Sequence, residues 1–203
     1  MTLNSIEYRG DTVIKSYPLS GNFSTFISAK LDNKSYLGRA ERYKTELERL
    51  DKYSRAGLPV PRLISSNLER LETTMQRIEN AKNFWLELAD HNVDGQHALI
   101  FLSKCAETLR MIHELGEHGD PYIGNFLVGK RIYAIDFEHT DRGGKKGDLS
   151  ALFTTALIAV PSDKREIESA IEDGYGERPE EYWTPLKKVS KPFGSLLYRF
   201  GIR

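Results

Sequence analysis

His118-Gly119-Asp120-Pro121-Tyr122-Ile123-Gly124-Asn125, with Ile135-Asp136-Phe137-Glu138 a short way downstream, is the stretch on which the reading of this chain turns. An aspartate is followed five positions later by an asparagine, and a second aspartate stands eleven residues beyond that. Between them lie two short β-type runs, Phe126 to Val128 and Ile132 to Ile135, joined by the turn Gly129-Lys130. A strand pair of this length turns back on itself, so it supplies the reach to bring both loop ends to one cleft. Asp and Asn are common turn residues, and each taken singly has a structural explanation. Together they match what phosphoryl transfer demands: hard oxygen ligands for a divalent cation that bridges phosphates, and a carboxylate that orients the attacking hydroxyl or takes its proton. Asp120 is then the base or hydroxyl-positioning group, and Asn125 and Asp136 are the Mg²⁺ ligands.

Working outward, Ala98 to Leu115 is the clearest helix, with Leu102, Cys105, Leu109 and Ile112 as its buried stripe and Gly116 as its stop. Ser5 to Tyr17 reads as a hairpin around Gly10-Asp11. A helix runs from about Tyr36 to Ala56, where Ala40, Tyr43, Leu47 and Leu50 form one apolar face and Gly57, Pro59 and Pro61 mark the break. Leu63 to Ser66 and Leu71 to Ile78 read as strands, and Asn83 to Ala89 as a short helix. Phe23 to Ala29 reads either as a further strand or as an irregular insert. Asp148 is placed to cap a helix over Leu149 to Ala159, with one or two more helices following. Strands first and helices afterwards predict an α+β protein.

The bulk composition narrows the classes. The 203 residues fit one domain, or two small lobes sharing a cleft. Lys plus Arg and Asp plus Glu are 29 each, so a globally basic nucleic-acid binder is not indicated. The longest apolar run, Ala98 to Leu102, is too short to span a bilayer, and the first residues carry no apolar signal-type segment. The single cysteine, Cys105, excludes an internal disulfide and sits in a helical apolar stripe, as a buried inert thiol would. The expected compartment is the cytoplasm. The five histidines, including His91, His97, His113 and His139, have no zinc-type spacing. His113 is expected to be structural, and His118 to brace its loop.

The motifs HGDPYIGN at 118–125 and DFE at 136–138 resemble the H-x-D-x-x-x-x-N and D-F-G signatures of the protein kinase superfamily. MIHELGEHGDPYIGN, from Met111 to Asn125, is most similar to its smallest atypical members: the KEOPS-complex kinases, the RIO kinases and the bacterial lipopolysaccharide-sugar kinases. The resemblance covers roughly residues 6 to 160. It implies a minimal two-lobed fold, with an N-lobe over 1–79 (a small antiparallel sheet and one main helix) and a reduced helical C-lobe over 80–203. It also implies ATP and Mg²⁺ as cofactors and a hydroxyl-bearing acceptor, either protein or sugar. Val13-Ile14-Lys15 looks like the strand of the phosphate-binding lysine. Glu46 is then its ion-pair partner, with a solvated helix glutamate as the alternative. Lys30 is the rival lysine, favoured less because Lys15 has the β-branched strand context. Thr74-Met75-Gln76-Arg77-Ile78-Glu79 resembles the interlobe linker, whose backbone at Gln76 and Ile78 would bind adenine. Asp148 both caps its helix and anchors the 118–125 loop backbone, as the matching aspartate does in similar kinases, or caps the helix alone.

The pattern also departs from that family. Gly10 is the only glycine before Lys15 and reads as a hairpin turn. The glycine-rich loop over the phosphates is therefore expected to be absent or shortened, with Ser20-Gly21-Asn22 the only nearby substitute. Glu138 stands where glycine is usual, and its extra carboxylate is expected near the metals. Nine residues separate Glu138 from Asp148, too few for an ordinary activation segment and peptide platform. The reading is an ATP-dependent serine/threonine-type protein kinase. The alternatives are a lipopolysaccharide-sugar or other small-molecule kinase, and a pseudokinase or ATPase-like module acting inside a protein complex. Lys187 to Arg203 mixes basic and aromatic residues, a composition that fits RNA binding or, more simply, rings packed on the body with charges outside.

Overall fold

The computed structural model describes residues 4–17, 38–89, 93–139 and 143–179. Ser20-Gly21-Asn22, the Phe23–Ala29 run, Lys30, Tyr36, His91 and the Lys187–Arg203 tail, all named above, lie outside the described residues.

Strands β1 (Ser5–Arg9) and β2 (Thr12–Ser16) pair antiparallel with Arg9 opposite Thr12, leaving Gly10-Asp11 as the two-residue turn. Gly10 has φ 56°, the left-handed backbone that such a turn requires and glycine supplies without steric cost. Strands β3 (Leu63–Asn67) and β4 (Glu72–Gln76) complete a four-stranded sheet of order β1-β2-β4-β3. Strand β4 is shorter than the 71–78 run predicted, because Leu71 at φ 51° belongs to the turn before it. Helix α1 (Arg39–Arg55) packs on this sheet and ends at Ala56, with Gly57 in the left-handed region at φ 75°.

A second sheet, of order β5-β6-β7, is built from Lys82–Asn83, Phe126–Val128 and Ile132–Ala134. Asn83 thus ends a strand rather than opening a helix, and α2 spans Phe84–Ala89. Helix α3 (Gly95–Leu115) begins three residues before the predicted start, because the Asp94 side chain accepts the His97 amide and caps it. Helices α4 (Gly144–Ala159) and α5 (Lys164–Tyr175) follow, the latter opened by an Asp163/Glu166 capping box. At Gly174 a β-carbon would lie 2.0 Å from the Ser103 carbonyl, so α5 can approach α3 this closely only with glycine there.

One apolar core joins both halves. Leu50, Tyr53, Val60 and Met75 from the first half meet Leu102, Cys105, Leu109, Ile112, Phe137 and Phe153 from the second. The predicted α3 stripe of Leu102, Cys105, Leu109 and Ile112 is fully buried. Burial pushes the Cys105 thiol well above its ordinary pKa, which keeps it inert. No helix of the described residues is long and apolar enough to cross a membrane.

Candidate active site

The face of α1 turned to the core carries Arg42, Glu46, Arg49 and Tyr53, at spacings of four, three and four, one side of a 3.6-residue helix. Tyr53 donates to the Glu117 carbonyl at 2.7 Å and meets the Phe137 ring edge-on, and the other three engage polar partners nearby. The Glu46 carboxylate lies 2.5 Å from Lys15 Nζ, and the Tyr17 hydroxyl also donates to it. Lys15 Nζ is also 2.5 Å from Asp136 Oδ1 and 3.2 Å from Glu138 Oε2. Arg42 donates to the other Glu138 oxygen at 3.2 Å, and Asn4 donates to Glu138 at 2.6 Å.

Three carboxylates, Glu46, Asp136 and Glu138, therefore each place an oxygen within 4.8 Å of the others. Two cations, Lys15 and Arg42, sit among them. Burial works against the Lys15 ammonium, yet the charges of Asp136, Glu46 and Glu138 outweigh it and hold its pKa well above the ordinary value. Burial and the neighbouring carboxylates raise Glu46 against the pull of Lys15. Asp136 is opposed by burial but lowered by the Lys15 charge and hydrogen bond. Asp136 is also the open member of the set: its side chain is 31 % exposed against 2 % for Glu46 and 1 % for Glu138. Glu138 is committed to Lys15 and Arg42 beneath the site rather than turned outward.

The 118–125 loop is fixed by backbone contacts on both sides. Tyr122 N–H donates to the Asp120 carbonyl, Ile123–Asn125 forms one 3₁₀ turn, and the Asn125 carboxamide nitrogen donates to the Asp120 carbonyl at 2.7 Å. The Asn125 carbonyl accepts Ile135 N–H at 2.9 Å, which ties the loop to the residue before Asp136. Asp136 has φ 69°, a left-handed conformation that Asp tolerates better than most residues. His139 Nε2 lies 3.9 Å from the Asp120 carboxylate and 3.4 Å from Glu138.

Asp148 does not cap a helix. Helix α4 starts at Gly144, so Asp148 lies inside it, 1 % exposed, with its carboxylate accepting the amides of His118 at 2.7 Å and Gly119 at 3.1 Å. Gly143-Gly144-Lys145-Lys146-Gly147 has poor intrinsic helix propensity. The burial of Leu149, Leu152 and Phe153, together with these loop bonds, outweighs it. His113 Nε2 is 3.0 Å from Asp148, and its Nδ1 is 2.6 Å from the Tyr175 hydroxyl, so His113 joins three helices to the loop.

His118 is fully buried between Phe137, with ring centroids 4.7 Å apart, and Phe126 at 5.8 Å. Burial lowers its pKa to about 4, and its Nδ1 accepts the Asp120 amide as a neutral ring can. A histidine neutral in the fold but titrating near 6.5 when unfolded makes the unfolded state bind the extra proton between those values. Stability is therefore full above about pH 6.5 and falls by up to about 3 kcal/mol as the pH drops toward about 4. Urea unfolding at neutral pH and at pH near 4.5 should show this slope, and His118→Asn should flatten it. An identical slope in the variant would contradict the assignment.

Gln76 ends β4 with its N–H committed to the Arg62 carbonyl at 2.8 Å. Ile78 follows in the irregular segment, half-buried. The strand register sets Ile6 and Tyr8 on the same sheet face as Lys15 and Val13. Both are exposed, at 49 % and 65 %, although apolar or aromatic, and the Tyr8 ring lies 5.5 Å from the Arg77 guanidinium. Sequence reading assigns no site role to Ile6, Tyr8, Arg42 or Arg49. The spacing of Arg42 and Arg49 from Glu46 was the available signal, since it puts all three on one helix face.

Comparisons with known proteins agree with this architecture. No curated protein matches the sequence. Among solved structures, a choline/ethanolamine kinase family protein from Mesorhizobium loti is similar at TM-score 0.59 and 13 % identity, over 89 % of this chain and 69 % of that one. WaaP, solved in complex with acyl carrier protein, is similar at TM-score 0.54 and 16 % identity, over 96 % and 80 %. The PknI kinase domain from Mycobacterium tuberculosis is similar at TM-score 0.52 and 11 % identity, over 91 % and 84 %. At these identities the likeness establishes a protein-kinase-like α+β fold. The family model described as Lipopolysaccharide kinase (Kdo/WaaP) family matches residues 7–161, a span that holds Lys15, Glu46, Asp120, Asn125, Asp136 and Asp148. The chain is a kinase, a phosphotransferase, and it belongs to the lipopolysaccharide kinase (Kdo/WaaP) family.

Proposed function

We propose that this chain transfers the γ-phosphoryl group of ATP to a hydroxyl of a lipopolysaccharide sugar, with Mg²⁺ as the cation. The family match over residues 7–161 carries this reading. The short connection after Asp136 supports it: α4 begins at Gly144, eight residues on, which leaves no length for a peptide-docking segment. This favours a sugar over the serine or threonine of a protein. ATP as donor puts the reaction in the cytoplasm.

The residues fit a hard divalent cation. Asp136 is the open carboxylate of a cluster holding three acidic groups against Lys15 and Arg42. Asn125 has its amide nitrogen engaged at the Asp120 carbonyl, which leaves the carboxamide oxygen for a cation. Asp136 and Asn125 would hold Mg²⁺, which when bound neutralises charge on the phosphates. Lys15, held by Glu46, pairs with the phosphate oxygens as a point charge. Asp120 orients the acceptor hydroxyl and takes its proton as the new P–O bond forms and the bond to the ADP oxygen breaks. Backbone groups at Gln76 and Ile78 receive the adenine.

The test is transfer from γ-labelled ATP with Mg²⁺, offering lipopolysaccharide and its core oligosaccharide beside generic serine/threonine protein substrates and the chain itself. Label should appear in the sugar. Label confined to protein would favour the protein-kinase reading, and no transfer or ATP turnover at all would favour a non-catalytic module.

A further inference from the structure

The two loops that carry Asp120 and Asp136 touch backbone to backbone, and one side chain outside both of them fills the junction. Arg49 Nη1 donates to the His118 carbonyl at 3.0 Å, the Phe137 carbonyl at 3.3 Å and the His139 carbonyl at 2.5 Å. Three carbonyl oxygens thus converge on one guanidinium nitrogen, whose positive charge offsets the repulsion between them. The same 118–119 segment has its amides bound from the opposite side by Asp148. The loop is thus gripped at its carbonyl side from α1 and at its amide side from α4.

We propose that Arg49 is a positioning residue that holds the Asp120 loop and the Asp136 loop in mutual register, so that the placement of α1 sets the spacing of the reacting groups. The proposal rests on the site reading above for what those groups do, but not for the clamp itself. Arg49 touches neither nucleotide nor acceptor in this scheme. Glu46, one turn away on the same face, holds Lys15, so a displacement of α1 disturbs Lys15 and both loops together. A lysine is a poor replacement, since its stem ends one bond short of a guanidinium nitrogen and its ammonium falls short of the point where the three carbonyls converge.

The experiment compares the full chain with Arg49→Ala and Arg49→Lys, reading ADP release at saturating Mg²⁺ so that the acceptor need not be known. A misplacement of about 1 Å costs on the order of 100-fold in rate, so kcat should fall by about that much in Arg49→Ala with KM for ATP changed less than about threefold. Arg49 lines a hollow with Glu48, Lys52, Tyr53, Gly116 and Glu117, through which a small cation can enter. Millimolar guanidinium should therefore restore part of the Arg49→Ala rate, while equal sodium chloride should not. A kcat within about threefold of the parent, or a loss that appears wholly as weaker ATP binding, overturns the proposal. Amide hydrogen exchange decides independently of activity: protection at Gly119 and Tyr122 should drop in both variants. Unchanged protection there sinks the clamp even if the wild-type chain proves inactive, whereas inactivity of the wild type with faster exchange in the variants sinks only the kinase chemistry.

Discussion

Asp136→Asn and Asp120→Asn should each reduce ATP turnover by on the order of 10³-fold while leaving the fold in place. Asparagine is the informative replacement at 136 because it accepts the left-handed backbone there, φ 69°, better than alanine. It keeps the shape of the side chain and removes the charge that lies 2.5 Å from Lys15. Lys15 retains Glu46 and Glu138, so the buried ammonium is not left alone and the thermal midpoint should move little. Mg²⁺ with ATP should raise the midpoint of the parent, because a ligand bound only to the native state stabilises it, by about 2.7 kcal/mol at a hundredfold excess over Kd. That shift should shrink in Asp136→Asn and persist in Asp120→Asn, since only the first removes a proposed cation ligand. Turnover within tenfold of the parent in either variant would remove that residue from the site.

Gly119→Ala should be nearly as damaging, for a steric reason. Gly119 has φ 86°, and an added β-carbon would lie 1.9 Å from the His139 carbonyl oxygen and 2.8 Å from Arg49 Nη1. Neither neighbour can retreat: the oxygen belongs to the backbone of the Asp136 loop, and the guanidinium is the group bonded to it. The loops must separate by an ångström or more, which breaks the alignment of Asp120 with Asp136 and should lower kcat by on the order of 100-fold. Left-handed alanine and overpacking together should cost roughly 2–4 kcal/mol, read as a lower urea midpoint. A variant with parental stability and rate would show that the loops are not packed as described.

Much of the fold was legible because its signals are local. The hairpin turn at Gly10-Asp11, the α3 stripe and the turn between β6 and β7 each depend on residues close in sequence, and each appears where the pattern predicts. Asp148 was legible only in part. Glycines and lysines just before it read as loop, which makes it a helix cap in the sequence, with or without a bond to the 118–125 loop. Its amide partners His118 and Gly119 lie about thirty residues away, and no local pattern reports a bond of that separation. Glu138 is legible in the sequence as an extra carboxylate beside Asp136, and it lies within 4.8 Å of that residue; its ion pairs to Lys15 and Arg42 are not legible there.

Residue order alone specifies the chemistry available: which oxygen-bearing groups stand at the loop ends, with what spacing, and which helix carries the acidic and basic residues that face them. How those groups share charge and space follows from long-range packing. Lys15 and Glu46 are 31 positions apart, and Arg49 is 69 from His118 and 90 from His139. Contacts at such separations come from packing α1 against both halves of one core. Burial then sets which carboxylate stays open, which cation is shared, and how closely two backbones can approach.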